Sequence, residues 1–255
     1  MTLRVRATPQ KGRSVAVLLR LPTSVSEAQE YLAEGAVPIG GATLVWATWQ
    51  RDGFPERAMS LRELPEANVL GRESVGSAVV LHRIDGRVPD VLRLAAATVG
   101  TGAVRRTATV GGNLVGSTLR CLLPAALVLD ARATVLETDG VHEADLAEVV
   151  AKRPLLLSLR WQRPTACAYR KLAGEAGGPP PLVIASALRT RPGGDCLRVA
   201  VRDGYDVLSG SATGYSDTEE ALHALSGTAL ADLPTAARDA VRSQVTGLLG
   251  RRDAH

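Results

Sequence analysis

Two glycine pairs, each at the end of a short apolar run, limit what this chain can fold into more than any other feature. They stand in Ile39-Gly40-Gly41-Ala42-Thr43 and in Thr109-Val110-Gly111-Gly112-Asn113. Without Cβ atoms, such a turn can take positive φ and lie close against a ligand. Its consecutive N–H groups then point into one concavity and hold an anion such as a phosphate oxygen. Thr43, Thr109 and Asn113 can add side-chain hydrogen bonds, and two such turns facing each other suit a pyrophosphate. A single glycine pair is far more often only a tight turn. The residues by themselves therefore leave both a pair of plain turns and a phosphate site open.

Around these turns the pattern is mixed α and β. Val15–Leu19 reads as a buried strand. Ser24 and Glu27 have the spacing of a capping box, after which Val25, Ala28 and Leu32 share a helical face that Gly35 ends. Val37-Pro38-Ile39 leads into the first glycine pair, and Thr43–Trp46 resumes an apolar run. Ser74–Leu81 reads as a strand. A helix beginning near Pro89 gathers Val91, Leu94, Ala95, Thr98 and Val99 on one side and stops at Gly100. Leu122–Leu129 is apolar enough to be buried, and Ala133–Glu137 is a strand entering a turn at Asp139-Gly140. Beyond Leu155–Trp161, another strand, Val183–Leu188 and Leu197–Val201 form a hairpin. Thr218–Leu225 and Thr235–Leu249 have helical spacing. A boundary falls near residues 150–163.

Composition removes several functions. With aromatics at 3% and Phe54 the sole phenylalanine, the core is aliphatic. Cys121, Cys167 and Cys196 lie far apart, without the spacing of an iron–sulfur cluster, a zinc site or any other metal centre. The net charge of +4 is carried by scattered arginines interleaved with acids, without stacking aromatics, which argues against nucleic acid. No apolar run reaches the about 20 residues of a membrane span. The basic N-terminus lacks the apolar core of a secretory signal, so the cytoplasm is expected. Gly100-Thr101-Gly102 begins like a dinucleotide fingerprint but has Arg105 at the third glycine position, and there is no Walker A lysine. No serine sits in a nucleophile elbow, and no histidine has an evident partner, so no catalytic residue is named.

The motifs do resemble those of one family, the FAD-binding medium subunit of molybdenum hydroxylases, related to carbon monoxide dehydrogenase and xanthine dehydrogenase. Ile39-Gly40-Gly41-Ala42-Thr43-Leu44 is similar to its first glycine signature. Val104-Arg105-Arg106-Thr107-Ala108-Thr109-Val110-Gly111-Gly112-Asn113-Leu114 resembles its second, which is the more specific of the two. Leu21–Ala28 and Leu123–Ala131 resemble its opening segment and a helix. The likeness runs from about residue 17 to 150, and more weakly to 200.

The resemblance implies an α+β fold: a two-lobed FAD-binding domain of the PCMH type over residues 14–155, then a small C-terminal α+β domain of antiparallel sheet and helices over 156–251. FAD would be clasped through Ile39, Gly40, Gly41, Ala42, Thr43, Leu44, Thr109, Val110, Gly111, Gly112 and Asn113, with Lys171 as a cation tuning the flavin. It further implies electron transfer: iron–sulfur and molybdopterin subunits as partners supply electrons, and the flavin passes them to an external acceptor. Whether the chain also self-associates is left open. One stretch departs from the family: Ser117-Thr118-Leu119-Arg120-Cys121 lacks the acid that contacts the flavin elsewhere. Two alternatives follow, a stand-alone flavin-dependent dehydrogenase or oxidase and a flavin-less, non-redox descendant of the fold.

Overall fold

The computed structural model describes residues 2–6, 16–174 and 177–252. In chain order the elements are β1 (Thr2–Arg6), β2 (Ala16–Arg20), α1 (Val25–Ala33), β3 (Val37–Ile39), α2 (Val45–Asp52), β4 (Arg57–Ser60) and β5 (Ser74–Gly76). There follow α3 (Asp90–Ala97), α4 (Gly102–Arg105), α5 (Leu123–Val128), β6 (Arg132–Glu137), β7 (Gly140–Asp145), α6 (Leu146–Lys152) and β8 (Leu155–Arg160). The chain ends with β9 (Ala166–Lys171), β10 (Val183–Arg191), β11 (Gly194–Asp203), β12 (Asp206–Thr213), α7 (Thr218–Ser226) and α8 (Thr235–Arg252). This is the expected α+β composition.

Two compact units emerge. The first is built from Met1–Asp85, Val99–Arg120 and Arg132–Arg160, and the second from Gly86–Thr98, Cys121–Ala131 and Trp161–His255. Helices α3 and α5 thus leave the first half of the sequence to join the C-terminal sheet.

The first unit has two lobes, each with its own sheet. In the sheet β1-β2-β4-β3, β1 pairs antiparallel with β2 while β2 and β3 flank β4 in parallel. The sheet β5-β8-β6-β7 is antiparallel. Local chemistry sets the ends of α1. The Ser24 hydroxyl accepts from the Glu27 amide at 3.2 Å, while the Glu27 carboxylate reaches back one residue further than a capping box, to the amide and hydroxyl of Thr23 at 2.7 and 3.0 Å. Those two bonds from Thr23 hold the Glu27 carboxyl below the usual carboxylate range. Gly35, at φ 81°, turns the chain out of the helix as expected. Ala28 and Ala36 then bury with Met59, Leu61, Leu64, Leu136 and Leu157 in one cluster that draws on strands of both sheets.

The expected strand Ser74–Leu81 is a strand only to Gly76, because its remainder pairs with the second glycine turn. The carbonyls of Ser77 and Val79 accept from Gly111 and Val110 at 2.8 and 3.0 Å, and Leu81 donates to Ala108 at 2.9 Å.

The second unit is the antiparallel sheet β12-β11-β10-β9 with helices on both faces. Ile184, Leu188, Leu197, Val199, Val201 and Ala212 point to the face buried by Ala221, Leu225, Val241, Val245 and Leu248 of α7 and α8. The Gln244 amide carries buried polar contacts across that layer, donating to the Ser186 hydroxyl at 3.0 Å and to the Ile184 carbonyl at 3.4 Å. Helices α3 and α5 lie against β9, β10 and β11.

Replacing Ser24 with Ala should cost about 1 kcal/mol of stability, since it orphans the Glu27 amide. Leu197→Ala, at a position with no solvent exposure, should cost about 2–5 kcal/mol. Chemical denaturation followed by circular dichroism checks both, and equal losses at the two positions would contradict the packing described.

Candidate functional site

The first glycine turn follows directly from strand pairing. Ile39 ends β3 opposite Ser60 of β4, and the chain then passes through Gly40-Gly41 into α2. Ala42 stands at φ 56°, a left-handed conformation that a non-glycine residue rarely takes. Such an isolated left-handed residue is the geometry that aims successive amides at one point. Among the described residues, the amides of Gly40, Gly41, Ala42, Thr43 and Leu44 donate to no protein acceptor. They lie beside the start of α2, whose own first amides add partial positive charge. Gly40, Thr43 and Leu44 are exposed, and Ile39, Gly41 and Ala42 are half-buried.

The second turn is built differently. Four of its five amides already have an acceptor: Val110 on Val79, Gly111 on Ser77, Gly112 on the Thr109 hydroxyl at 3.1 Å and Asn113 on the Thr109 carbonyl at 2.9 Å, while the buried Thr109 amide donates to no acceptor among the described residues. Beyond it, Gly112–Gly116 forms a π-helical turn. Thr109, Val110 and Asn113 are buried.

The two turns are pressed together. A Cβ on Gly40 would run into the Thr109 hydroxyl, and one on Gly41 into the Thr107 carbonyl. One on Gly111 would come within 2.8 Å of the Ser77 Cβ. None of the four glycines takes positive φ. The expectation of left-handed glycines therefore fails: at Gly40 and Gly41 the reason for glycine is the close approach of the first turn to the second, and at Gly111 it is the approach to Ser77. The run of free donors belongs to the first turn, while the second supplies its back wall.

Lys171 belongs to the second unit. It is exposed at the end of β9, and its ammonium donates to the Thr98 carbonyl at 2.9 Å. Its neighbour Tyr169 shares a 2.8 Å hydrogen bond with the Thr98 hydroxyl. Burial pushes the Tyr169 phenol up, against the opposing pull of that bond. At the stretch that lacks the expected acid, Arg120 stands at φ 39° with its Nε buried and without a hydrogen-bond partner among the described residues.

One feature escaped the sequence reading. Trp46, Trp49 and Phe54 gather beside the first turn, with Trp46 and Phe54 edge to face at 5.3 Å. Together with Val17, Leu19, Ile39, Ala42 and Ala58 they line an apolar cavity of about 80 Å³. The signal was present as three aromatics within nine residues of an aromatic-poor chain.

Chemically, this arrangement can hold an anion and little else. None of the residues assigned to the two turns carries a titratable side chain, so redox or group-transfer chemistry has to come from a bound cofactor. The fit to a phosphate-bearing group rests on the uncommitted amides, the left-handed Ala42 and the Cβ-free contact behind them.

Comparison with known proteins agrees. The family described as FAD binding domain in molybdopterin dehydrogenase matches residues 15–157. Among solved structures, carbon monoxide dehydrogenase from Hydrogenophaga pseudoflava is similar at a TM-score of 0.71 and 18% identity, over 91% of this chain and 95% of that one. Quinoline 2-oxidoreductase from Pseudomonas putida 86 is similar at a TM-score of 0.64 and 19% identity, over 91% of this chain and 94% of that one. Reconstituted CO dehydrogenase from Oligotropha carboxidovorans is similar at 0.65 and 20%, over 94% and 87%. No curated protein sequence matches. No helix among the described residues is long and apolar enough to cross a membrane. With both glycine turns and more than half of its length inside the matched region, the chain belongs to the family of FAD-binding domains in molybdopterin dehydrogenases, flavoprotein oxidoreductases whose cofactor is FAD.

Proposed function

We propose that this chain is the flavin-carrying subunit of a molybdenum hydroxylase-like dehydrogenase, working in the cytoplasm with iron–sulfur and molybdopterin subunits. The observation that carries the reading is the run of uncommitted amides from Gly40 to Leu44, backed by a second glycine turn whose amides from Val110 to Asn113 are all engaged. We assign the FAD pyrophosphate to the first turn. Ile39 and Ala42 present apolar surface beside it, and Thr109, Val110, Gly111, Gly112 and Asn113 form the wall that fixes its position. Held there, FAD would supply the redox chemistry that links electrons from the partner subunits to an external acceptor.

The residues of the chain bind and orient. Five amides in a fixed array need no reorganisation when an anion arrives, which is where such donors gain most over water. The hydroxyl of Thr109 both seats Gly40 and accepts from Gly112, so one side chain ties the two turns together. Lys171, anchored on the Thr98 carbonyl, is the fixed positive charge that we assign to tuning the flavin. In functional terms we retain residues 14–155 as the FAD-binding domain and 156–251 as the C-terminal domain.

The purified chain should be yellow and should release FAD in a one-to-one ratio on denaturation, read from the visible spectrum and chromatography of the extract. A colourless protein that takes up no added FAD would overturn the reading in favour of a flavin-less descendant. Substrate oxidation by the isolated chain would favour the stand-alone enzyme instead.

Gly41→Ala forces the Thr107 carbonyl away, and Gly111→Val forces Ser77 away. Each should weaken FAD binding by about 100-fold or more. That is the loss expected when two charge-assisted hydrogen bonds of about 1.5 kcal/mol each are disturbed. Fluorescence titration of flavin, with circular dichroism confirming the fold, measures it. Unchanged affinity in both variants would remove the pyrophosphate from these turns.

A further inference from the structure

The second unit carries a polar recess that flavin binding does not use. Arg189 and Arg191 of β10 and Arg198 of β11 converge on one carboxylate, that of Asp130, at 3.6, 3.5 and 3.0 Å. The antiparallel register explains the convergence. Arg198 lies opposite Ala187 on one side and Ser211 on the other, so it shares a face of the sheet with Arg189 and Arg191. Leu188, Leu197 and Val199 point to the opposite face. Asp130 meets the three arginines at the end of α5, where it stands at φ 53° with its amide on the Leu127 carbonyl at 3.0 Å.

The cluster is unbalanced. Three guanidinium groups face one carboxylate, an excess of two positive charges. Arg189 is anchored by other acceptors as well, donating to the Leu129 carbonyl at 2.8 Å and to Gln162 at 3.2 Å. Burial draws it below the ordinary arginine value, Asp130 opposes that shift, and Arg191 and Arg198 add to it. It nevertheless stays protonated, as arginine does in proteins.

Arg198 differs from the other two. It gives Asp130 one terminal nitrogen, but its Nε is buried without a hydrogen-bond partner among the described residues. The same side chain lines a cavity of about 190 Å³ together with Leu127, Val199, Ser209, Gly210 and Ser211. Arg198 spends one terminal nitrogen on Asp130, which leaves the other to a ligand in the cavity, and a guanidinium matches phosphate oxygens best.

We propose that this recess binds a dianionic phosphate group, with Arg198 as its principal ligand and the hydroxyls of Ser209 and Ser211 as further donors. The charge argues for a dianion over a carboxylate, since one phosphate cancels the excess that Asp130 leaves. The volume argues that only the phosphate group is enclosed. A nucleoside monophosphate would leave its base outside, so free phosphate and a nucleotide phosphate present the same chemistry to the site. The inference stands on residues of the second unit and does not rest on the flavin assignment.

Isothermal titration calorimetry of the full chain, with excess FAD present and ionic strength held constant with chloride, tests it. Inorganic phosphate and adenosine monophosphate are titrated separately. Each should give one saturable site. Equal affinity assigns the recess to free phosphate, and tighter adenosine monophosphate assigns it to a nucleotide.

Arg198→Gln should weaken binding at least tenfold while the FAD content stays unchanged. The double variant Ser209→Ala, Ser211→Ala leaves the arginine cluster intact and should weaken binding several-fold. It carries the test if Arg198→Gln fails to fold. Absence of a saturable heat with either probe, or undiminished affinity in the folded variants, overturns the proposal.

Discussion

The contact between the two glycine turns is the constraint on which the rest of the first unit depends. Gly41 rests on the backbone carbonyl of Thr107, and Gly40 on the hydroxyl of Thr109, with no room for a methyl group at either. That contact works only if the second turn cannot yield. Its amides are tied to Ser77, Val79 and Thr109, and Ser77 itself donates to Leu157 of β8 at 2.8 Å. The first turn is therefore braced, through the second, by the sheet of the other lobe. A binding turn with exposed amides is inherently soft, and here its stiffness is borrowed from a neighbour. Fixing donors before the ligand arrives lowers the ordering cost of binding.

This division of labour was only half legible in the sequence. The glycine pairs were visible, and so was the chemistry they allow. Ser24, Gly35, Pro89 and the β10–β11 hairpin were readable because capping and turn signals act over a few residues. What glycine was for could not be read, because the partners of Gly41 and Gly111 lie 66 and 34 positions away in the chain, at Thr107 and Ser77. The shortened strand after Gly76 has the same origin. Its alternation is that of a strand, but after the Ser77 amide, which still donates to β8, the segment pairs with Ala108–Gly111 instead of continuing in the sheet. Helix α2 was missed because Thr43–Trp46 reads as a continuous apolar run, although Val45, Trp46 and Trp49 share one helical face. The joining of α3 and α5 to the C-terminal sheet is likewise a tertiary choice that no local pattern encodes.

The C-terminal sheet shows how one antiparallel layer can serve two purposes. Alternation along each strand sends one set of side chains into the helical layer of α7 and α8, where Leu, Val and Ile dominate. The other set includes Ala185, Ala187 and Ala200, small enough for α5 to come close, together with Arg189, Arg191 and Arg198. Close approach of α5 is what delivers Asp130 to the arginines, since the helix ends there. Packing and electrostatics are thus set by the same choice of small residues on that face.

The two units then handle negative charge in opposite ways. The first turn offers neutral amides, which do not repel one another, so it can stand free of ligand at little cost beyond their hydration. The arginine cluster is charged before anything binds. Three guanidinium groups within reach of one carboxylate repel each other, although water screens the part-exposed Arg191 and Arg198. An anion that completes the cluster removes part of that repulsion. An anion that binds there stabilises the folded unit by an amount that grows with its concentration over its dissociation constant. A site built from amides reports its ligand mainly by retaining it, whereas one built from crowded arginines couples its ligand to the stability of the sheet that carries it.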